Sequence, residues 1–151
     1  LMKELEMPKT ITTTTKTSST HRKPTSREKR MLKLAAKQAS NSEFPTFKHG
    51  AVLAKGASIL NLGVNKNQFH SFAARFRDVP CHATIHAELS CILGVDREST
   101  LGSTVYVVRI NPQGEWRMSK PCCMCQAAMK HVGIKKVIYS VDKKHIGEMK
   151  L

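Results

Sequence analysis

Apolar residues recur at helical spacing in two segments of this chain, and a third segment is also predicted to be helical. Thr25 to Glu28 fits a helix capping box, and the apolar residues after it keep helical spacing as far as Ala39. This pattern predicts a first helix that ends near Asn41. A second helix is predicted around Ile85 to Gly94, where apolar residues recur at i, i+4, i+7 and i+8, and a third from about Cys122 to His131.

Apolar runs of strand length occupy the segments between these helices. Two runs, His49 to Gly56 and Ser58 to Val64, are separated at Gly56, which predicts a β-hairpin. The run from Thr104 to Ile110 is apolar almost throughout and is typical of a central strand. Residues 65–83 contain asparagine, histidine and proline among scattered aromatic residues, and we predict a loop there.

The chain ends on two strand-like segments, Lys136 to Ser140 and Ile146 to Lys150. A parallel pair needs a crossover of about a dozen residues or more, whereas a short connection suits a hairpin. We therefore predict that the last strand pairs antiparallel with the one before it.

The first 24 residues differ in composition from the remainder. Threonine and serine dominate residues 10–20, and basic residues follow them. We expect a disordered basic leader over residues 1–24 and one folded domain over residues 25–151. No apolar stretch suits a membrane span or a signal peptide, so we expect an intracellular protein, cytoplasmic or nuclear, without a membrane partner.

Positive charge extends over the predicted domain as well as the leader. The 25 lysines and arginines against 11 acidic residues give a net charge of +14. Such a balance favours a polyanionic partner or a phosphorylated substrate. A basic surface that serves solubility alone stays an alternative.

Two short motifs carry the candidate chemistry: His86-Ala87-Glu88 and Pro121-Cys122-Cys123-Met124-Cys125. One histidine and two cysteines spaced as Cys-x-x-Cys supply three zinc ligands and leave the fourth tetrahedral position open. The clustering of three cysteines in residues 122–125 indicates metal binding in a reducing compartment rather than disulfides. We predict a zinc site of His86, Cys122 and Cys125, with Glu88 as a proton carrier beside it. A purely structural zinc site is the alternative.

The sequence H-x-E followed by P-C-x-x-C resembles the signature of the zinc-dependent cytidine and deoxycytidylate deaminase-like superfamily, over roughly residues 26–151. The resemblance implies an α/β fold, a three-layer α/β/α sandwich around a mixed sheet of about five strands. It also implies hydrolytic removal of an exocyclic amine from a nucleobase, with Glu88 as the catalytic group and not a ligand. Substrate contacts are implied for Asn65 and Ala87, and Asn67 is the neighbour that could replace Asn65.

Three further features have two interpretations each. Cys123 cannot share a helix face with Cys122 and Cys125, so we expect a bystander rather than a ligand. Cys81 and His82 could belong to an extra zinc site, but an ordinary loop is preferred. Trp116 could stack on nucleotides, while surface packing is the simpler interpretation.

The motifs define the reaction more closely than the substrate. An antiparallel last strand resembles free-cytidine deaminases, which favours a small-molecule cytosine nucleoside or nucleotide of the cytidine or dCMP type. The stretch from Pro121 to Met129 instead resembles tRNA adenosine deaminases. A nucleic-acid deaminase that acts on tRNA adenosine or single-stranded cytosine therefore stays open, as do a catalytically silent zinc-stabilised nucleic-acid-binding module and a homo-oligomer.

Overall fold

In a computed structural model of the chain, which describes residues 21–76 and 84–151, a seven-stranded mixed sheet lies at the centre. Its strands are β1 (His21–Arg22), β2 (Lys48–Lys55), β3 (Ser58–Val64), β6 (Thr104–Ile110), β7 (Trp116–Arg117), β8 (Lys136–Ser140) and β9 (Ile146–Lys150). The main strand order is β1-β9-β8-β6-β2-β3, and β7 pairs with β6 beside that path. The five longer strands match the predicted number, and β1 and β7 add two residues each.

Helices cover both faces of this sheet. The helices are α1 (Ser26–Ala39), α2 (Ser71–Arg75), α3 (Ala87–Ile92), α4 (Arg97–Thr100) and α5 (Cys123–His131). Val105 and Val107 of β6 pack with α3 and α5, whereas Tyr106 and Val108 pack with α1. This alternation along one strand separates two apolar cores and confirms the three-layer α/β/α sandwich. Within residues 21–76 and 84–151, no helix has the length and apolarity to cross a membrane.

The first helix begins with the predicted capping box. Thr25 Oγ1 accepts a hydrogen bond from the Glu28 amide at 3.2 Å, and Glu28 Oε1 accepts one from the Thr25 amide at 2.9 Å. Two amides that the helix itself leaves unsatisfied are thereby paired. The helix ends at Ala39, two residues before the predicted position.

Two residues that the sequence analysis placed in the leader belong to the sheet. His21 and Arg22 form β1 and pair with Gly147 and Ile146 of β9. Arg22 also contacts Glu28 at 2.7 Å and Glu148 at 2.6 Å, and this guanidinium lowers the pKa of Glu28 to about 2. The sheet therefore begins four residues before the predicted domain boundary, while residues 1–20 lie outside the described residues.

The last two strands form the predicted antiparallel hairpin. Lys136 pairs with Lys150 and Ser140 with Ile146. Asp142 Oδ1 accepts hydrogen bonds from the amides of Lys144 and His145, both at 2.8 Å, and thereby closes the turn. In contrast, β6 and β8 are parallel, and the segment between them contains α5 as the required crossover.

The loop predicted for residues 65–83 was wrong in its described part. Residues 66–69 form β4 (Lys66–Phe69), which pairs with β5 (Thr84–Ile85), and α2 follows β4. Phe72 and Phe76 pack edge to face, with ring centroids 5.1 Å apart, and their i to i+4 spacing is a helical signal that the prediction passed over. The suggested second zinc pair, Cys81 and His82, lies outside the described residues.

The second predicted helix begins later than its apolar pattern indicated. Ile85 belongs to β5 and not to the helix, because His86 has an extended backbone with φ −80° and ψ 160°. The helix α3 therefore runs only from Ala87 to Ile92. His86 is therefore the N-cap residue, and its extended backbone conformation, not the helical one, sets the direction of its side chain.

Candidate metal centre

The two sequence motifs meet at the N-termini of α3 and α5. His86 is the N-cap residue of α3, and Cys122 is the N-cap residue of α5, with φ −73° and ψ 169°. Neither side chain caps its own helix, so imidazole and thiol are free to face each other. Cys125 lies one turn further into α5, so its thiol projects from the same side of the helix as that of Cys122.

The three predicted ligand atoms have the spacing that zinc requires. His86 Nδ1 lies 3.2 Å from Cys125 Sγ and 3.6 Å from Cys122 Sγ, and the three ligand atoms lie within 4.8 Å of one another. Usual zinc bond lengths in a tetrahedral site place nitrogen and sulfur ligands about 3.6 Å apart. These residues therefore fit a zinc ion closely. Cys123 is exposed and stands outside this group, as expected.

The pKa values of the two cysteine thiols are shifted in opposite directions. The neighbouring Cys125 thiol, with His86, lowers the pKa of Cys122 to about 4, because both stabilise its thiolate by hydrogen bonding. The same contact with Cys122, together with burial, raises the pKa of Cys125 well above its usual range. The site is thus prepared to carry one thiolate, and a divalent cation would replace the remaining thiol proton.

Glu88 lies in the first turn of α3 and is 4% exposed. Burial raises the pKa of its carboxyl to about 7, and the nearby His86 opposes this shift only in part. A carboxyl that titrates near neutral pH can both accept and release a proton under ordinary conditions. The position fits the predicted proton carrier, although its catalytic role stays a prediction.

A cavity of about 310 Å³ opens above these groups. It is lined by Phe44, Phe47, His49, Asn65, Ile85, His86, Glu88, Ser119, Lys120 and Cys122. The predicted ligands His86 and Cys122 therefore reach the cavity together with Glu88. Ala87 is buried and is not among the lining residues, so its predicted substrate contact stays a prediction.

Asn65 lines the cavity, whereas its neighbour Asn67 is exposed and does not. Asn65 Oδ1 accepts a hydrogen bond from the His49 amide at 3.0 Å, and Asn65 Nδ2 donates one to the Phe47 carbonyl at 2.7 Å. These bonds fix the segment that enters β2 at the cavity wall. One amide hydrogen and one lone pair remain for a ligand. The predicted substrate contact of Asn65 is untested and stays a prediction.

Several residues of the cavity wall were missed by the sequence analysis. Burial lowers the pKa of His49 to about 4, so this wall residue is neutral at pH 7. Ser119 Oγ lies 2.8 Å from Ser140 Oγ and donates to the Val107 carbonyl at 3.0 Å, which fixes the segment before Pro121. Arg109 is not itself a lining residue, but its guanidinium lies 4.6 Å from the centre of the ring of Phe47, which is. The alternation along β6 was a usable signal, because it places Arg109 on the same face as Val105 and Val107.

Gly63 of β3 lets α3 approach the sheet closely. A Cβ atom at residue 63 would lie 2.5 Å from the Ala87 carbonyl oxygen and 2.5 Å from the Cys91 amide nitrogen. Replacing Gly63 with alanine should displace the helix that begins at His86, and overpacking of this kind costs about 1–3 kcal/mol. We expect a lower melting temperature and a lower zinc content, measured by calorimetry and elemental analysis.

The matched control is Ser58→Ala, at an exposed position of the same strand. It should leave both quantities unchanged. A Gly63→Ala protein with the melting temperature and zinc content of the parent would contradict this account of how α3 is positioned.

Comparison with known proteins gives one family and a common fold. Residues 25–141 match the sequence model of the cytidine and deoxycytidylate deaminase zinc-binding region. No curated protein sequence matches the chain.

Solved structures with a similar fold include two kinds of deaminase. The dCMP deaminase of cyanophage S-TIM5 in apo form is 22% identical, with 77% of this chain and 83% of that chain covered and a TM-score of 0.52. The cytidine deaminase of Mycobacterium leprae is 20% identical, with 80% and 92% covered and a TM-score of 0.50. At these identities the likeness shows the fold alone, and it agrees with the three-layer arrangement described above.

Proposed function

This chain belongs to the cytidine and deoxycytidylate deaminase family, and on that premise we propose that it is a zinc-dependent hydrolytic deaminase of cytosine nucleosides or nucleotides. The observation that carries the proposal is the buried carboxyl of Glu88 in the same cavity as His86 and Cys122. A structural zinc site needs no such carboxyl and no cavity beside it.

The residues of the cavity have separate tasks in this reaction. Zinc on His86, Cys122 and Cys125 would supply a Lewis acid and an activated water at the cavity floor. Glu88 would take a proton from the attacking water and deliver it to the ring nitrogen beside the reacting carbon. It would then take the second proton from the oxygen that has attacked the ring and pass it to the departing amine, which leaves as ammonia while the new carbonyl forms. Burial keeps bulk water away from the carboxyl and holds its pKa near 7, where each transfer is reversible.

Size and charge at the cavity favour a mononucleotide. A volume of about 310 Å³ is at the lower end for ligand sites and suits one pyrimidine nucleoside. Phe47 is 57% exposed at the rim and offers a flat face to the substrate. Lys120 at the mouth and Arg109 against Phe47 add positive charge where a phosphate would project. The antiparallel β9 gives further support, because the sequence analysis associated it with deaminases of free substrates.

The substrate is tested by ammonia release from cytosine, cytidine, deoxycytidine, CMP, dCMP, adenosine and single-stranded oligonucleotides. We expect turnover of the cytosine nucleosides and nucleotides, with the lowest KM for a monophosphate. Replacing Lys120 with glutamine should raise the KM for the monophosphate about tenfold, the usual size of one charge-assisted contact, and leave the KM for the nucleoside unchanged.

The exposed Lys135 lies at the opposite end of the sheet, so Lys135→Gln serves as the control with the same change of charge. Ammonia released from adenosine alone, or from oligonucleotides alone, would overturn the proposed substrate class. An equal rise in KM for nucleoside and monophosphate in Lys120→Gln would remove the phosphate contact from the proposal.

A further inference from the structure

A second, larger cavity of about 770 Å³ lies beside α1, whereas the catalytic cavity lies beside α3 and α5. Three segments border it: one side of α1 between Lys29 and Ala36, the segment 113–117 that leads into β7, and the turn between β8 and β9. We call it the basic groove and define it by its cations and its aromatic residue, namely Lys29, Lys33, Trp116, Arg117, Lys143 and Lys144. The role proposed above for the catalytic cavity uses none of these residues.

Positive charge in the basic groove is not balanced by its own acidic residues. Glu115 is engaged by Arg117 at 3.1 Å, and Asp142 accepts the turn amides of Lys144 and His145. Among the described residues, the four lysines of the groove form no salt bridge.

The arrangement of these lysines is itself unfavourable. Lys29 and Lys33 are exposed and stand at i and i+4 on α1, where like charges repel each other. Lys143 and Lys144 are adjacent in a short turn, on the other side of the groove. Cations from separate segments that converge without partners fit a polyanionic ligand, because each bound phosphate would relieve part of this repulsion.

Trp116 gives the groove an aromatic surface. It is partly buried, pairs with Ile110 across β6 and β7, and packs against the apolar core beneath α1. The indole is therefore held by the sheet while it also lines the groove. A fixed aromatic ring among cations is the combination on which unpaired bases stack while their phosphates bind the surrounding lysines.

We propose that the basic groove binds a single-stranded nucleic acid, with one base stacked on Trp116 and the backbone along the lysines. A duplex keeps its bases stacked inside and would use the lysines alone. An acidic peptide would likewise leave the indole without a matching partner. The ligand chemistry that uses both features is a chain of phosphates with exposed bases.

The groove and the catalytic cavity lie near the same end of the sheet, close to where β6 and β8 finish. Only four residue steps separate Trp116 from Lys120 at the catalytic cavity, so their Cα atoms are at most about 15 Å apart. A strand of a few nucleotides spans such a distance, since site sizes of about 4–16 nucleotides are usual for single-strand binders. The proposal concerns binding and stands independently of the reaction in the cavity.

The test uses the full chain and a fluorescently labelled thymidine oligonucleotide, which contains no cytosine and so is no substrate of the proposed reaction. Anisotropy measures affinity, and quenching of Trp116, the only tryptophan in the sequence, measures stacking. We expect binding accompanied by quenching. Contacts to four phosphates would lower the affinity about 50-fold between about 50 and about 200 mM salt.

Charge reversal locates the binding surface. Lys143→Glu with Lys144→Glu should weaken binding at least about tenfold, because each lysine lost removes a phosphate contact and adds repulsion. The control is Lys55→Glu with Lys135→Glu, two exposed residues at the other end of the sheet with the same change in net charge. All proteins retain residues 1–20, so these cannot account for a difference between the variants. Replacing Trp116 with leucine should lower affinity about tenfold, within the range for one stacked base.

Several results would overturn the proposal. These are no measurable binding at low salt, equal weakening by the two double variants, equal affinity for a duplex of the same length, and binding that leaves Trp116 fluorescence unchanged. The proposal would also be overturned if thymidine monophosphate, at the same concentration as the oligonucleotide, displaced it. The groove would then be a site for a single nucleotide and not for a strand. Loss of deaminase activity affects none of these readouts, so failure of the proposed function stays distinguishable.

Discussion

Replacing Glu88 with glutamine is expected to abolish ammonia release while the fold and the metal remain. Glutamine has nearly the same shape as glutamate, but it cannot accept a proton from water or return it to the base. A general acid–base group contributes about 10²–10⁴-fold to the rate, and one that carries several protons in a cycle should be at the upper end. The measurement is kcat for the best cytosine substrate, with zinc content determined on the same sample.

Stability separates a catalytic role of Glu88 from a structural one. A buried ionisable carboxyl is costly, so its replacement by a neutral amide should leave the melting temperature level or raise it. Glu98→Gln, the same exchange at an exposed position of α4, should leave kcat unchanged. Turnover by Glu88→Gln within about threefold of the parent would refute the proton-carrier mechanism, because its contribution would fall far below that of a general acid–base group.

The hydrophobic pattern predicted the elements that contribute to the two cores. The first helix is buried on one side and shows helical spacing, whereas β2, β6 and β8 have residues in both cores and therefore appear in the sequence as short continuous apolar runs. The capping box at Thr25 was predictable for another reason, since its two hydrogen bonds join residues three apart. Local chemistry therefore fixed where α1 begins.

Elements held by distant partners were missed. The strand β5 has two residues, too few for any periodic signal, and its partner β4 lies on the other side of α2. Because β5 was not recognised, Ile85 was assigned to the helix that follows it. β1 was assigned to the leader because His21 and Arg22 carry no apolar pattern, and its position depends on pairing with β9 and on the ion pairs of Arg22 with Glu28 and Glu148.

The candidate metal ligands were predictable because each lies in a short motif. Cys122 and Cys125 stand one helical turn apart, and His86 is the first residue of the motif that opens α3. The residues of the cavity wall come from segments that are far apart in sequence. His49, for example, is placed by the pairing of β2 with β6, which sets it beside Arg109, 60 positions away. The basic groove likewise combines residues from three distant segments.

Removing either cysteine ligand is expected to remove zinc and to lower stability together. Metal bound only by the folded chain adds its binding free energy to folding, about 4 kcal/mol when free metal exceeds Kd a thousandfold. In Cys125→Ala, zinc should fall from one ion per chain to near zero, and the melting temperature should drop markedly. Cys122→Ala should behave alike. Elemental analysis and calorimetry of the same preparations measure both effects.

Two further cysteines separate the loss of metal from the loss of packing. Cys91 is fully buried in α3 outside the metal group, and its thiol donates to the Glu88 carbonyl at 3.1 Å. Cys91→Ala should therefore cost only the packing of one buried sulfur, about 1 kcal/mol, and keep the zinc. Cys123→Ala, at an exposed position, should change neither quantity. The loss of packing should be similar in Cys91→Ala and Cys125→Ala. Any additional loss of stability in Cys125→Ala is therefore the contribution of the metal, and removing zinc from the parent protein with a chelator should cause a loss of the same size. Stoichiometric zinc in both Cys122→Ala and Cys125→Ala would show that these residues are not its ligands.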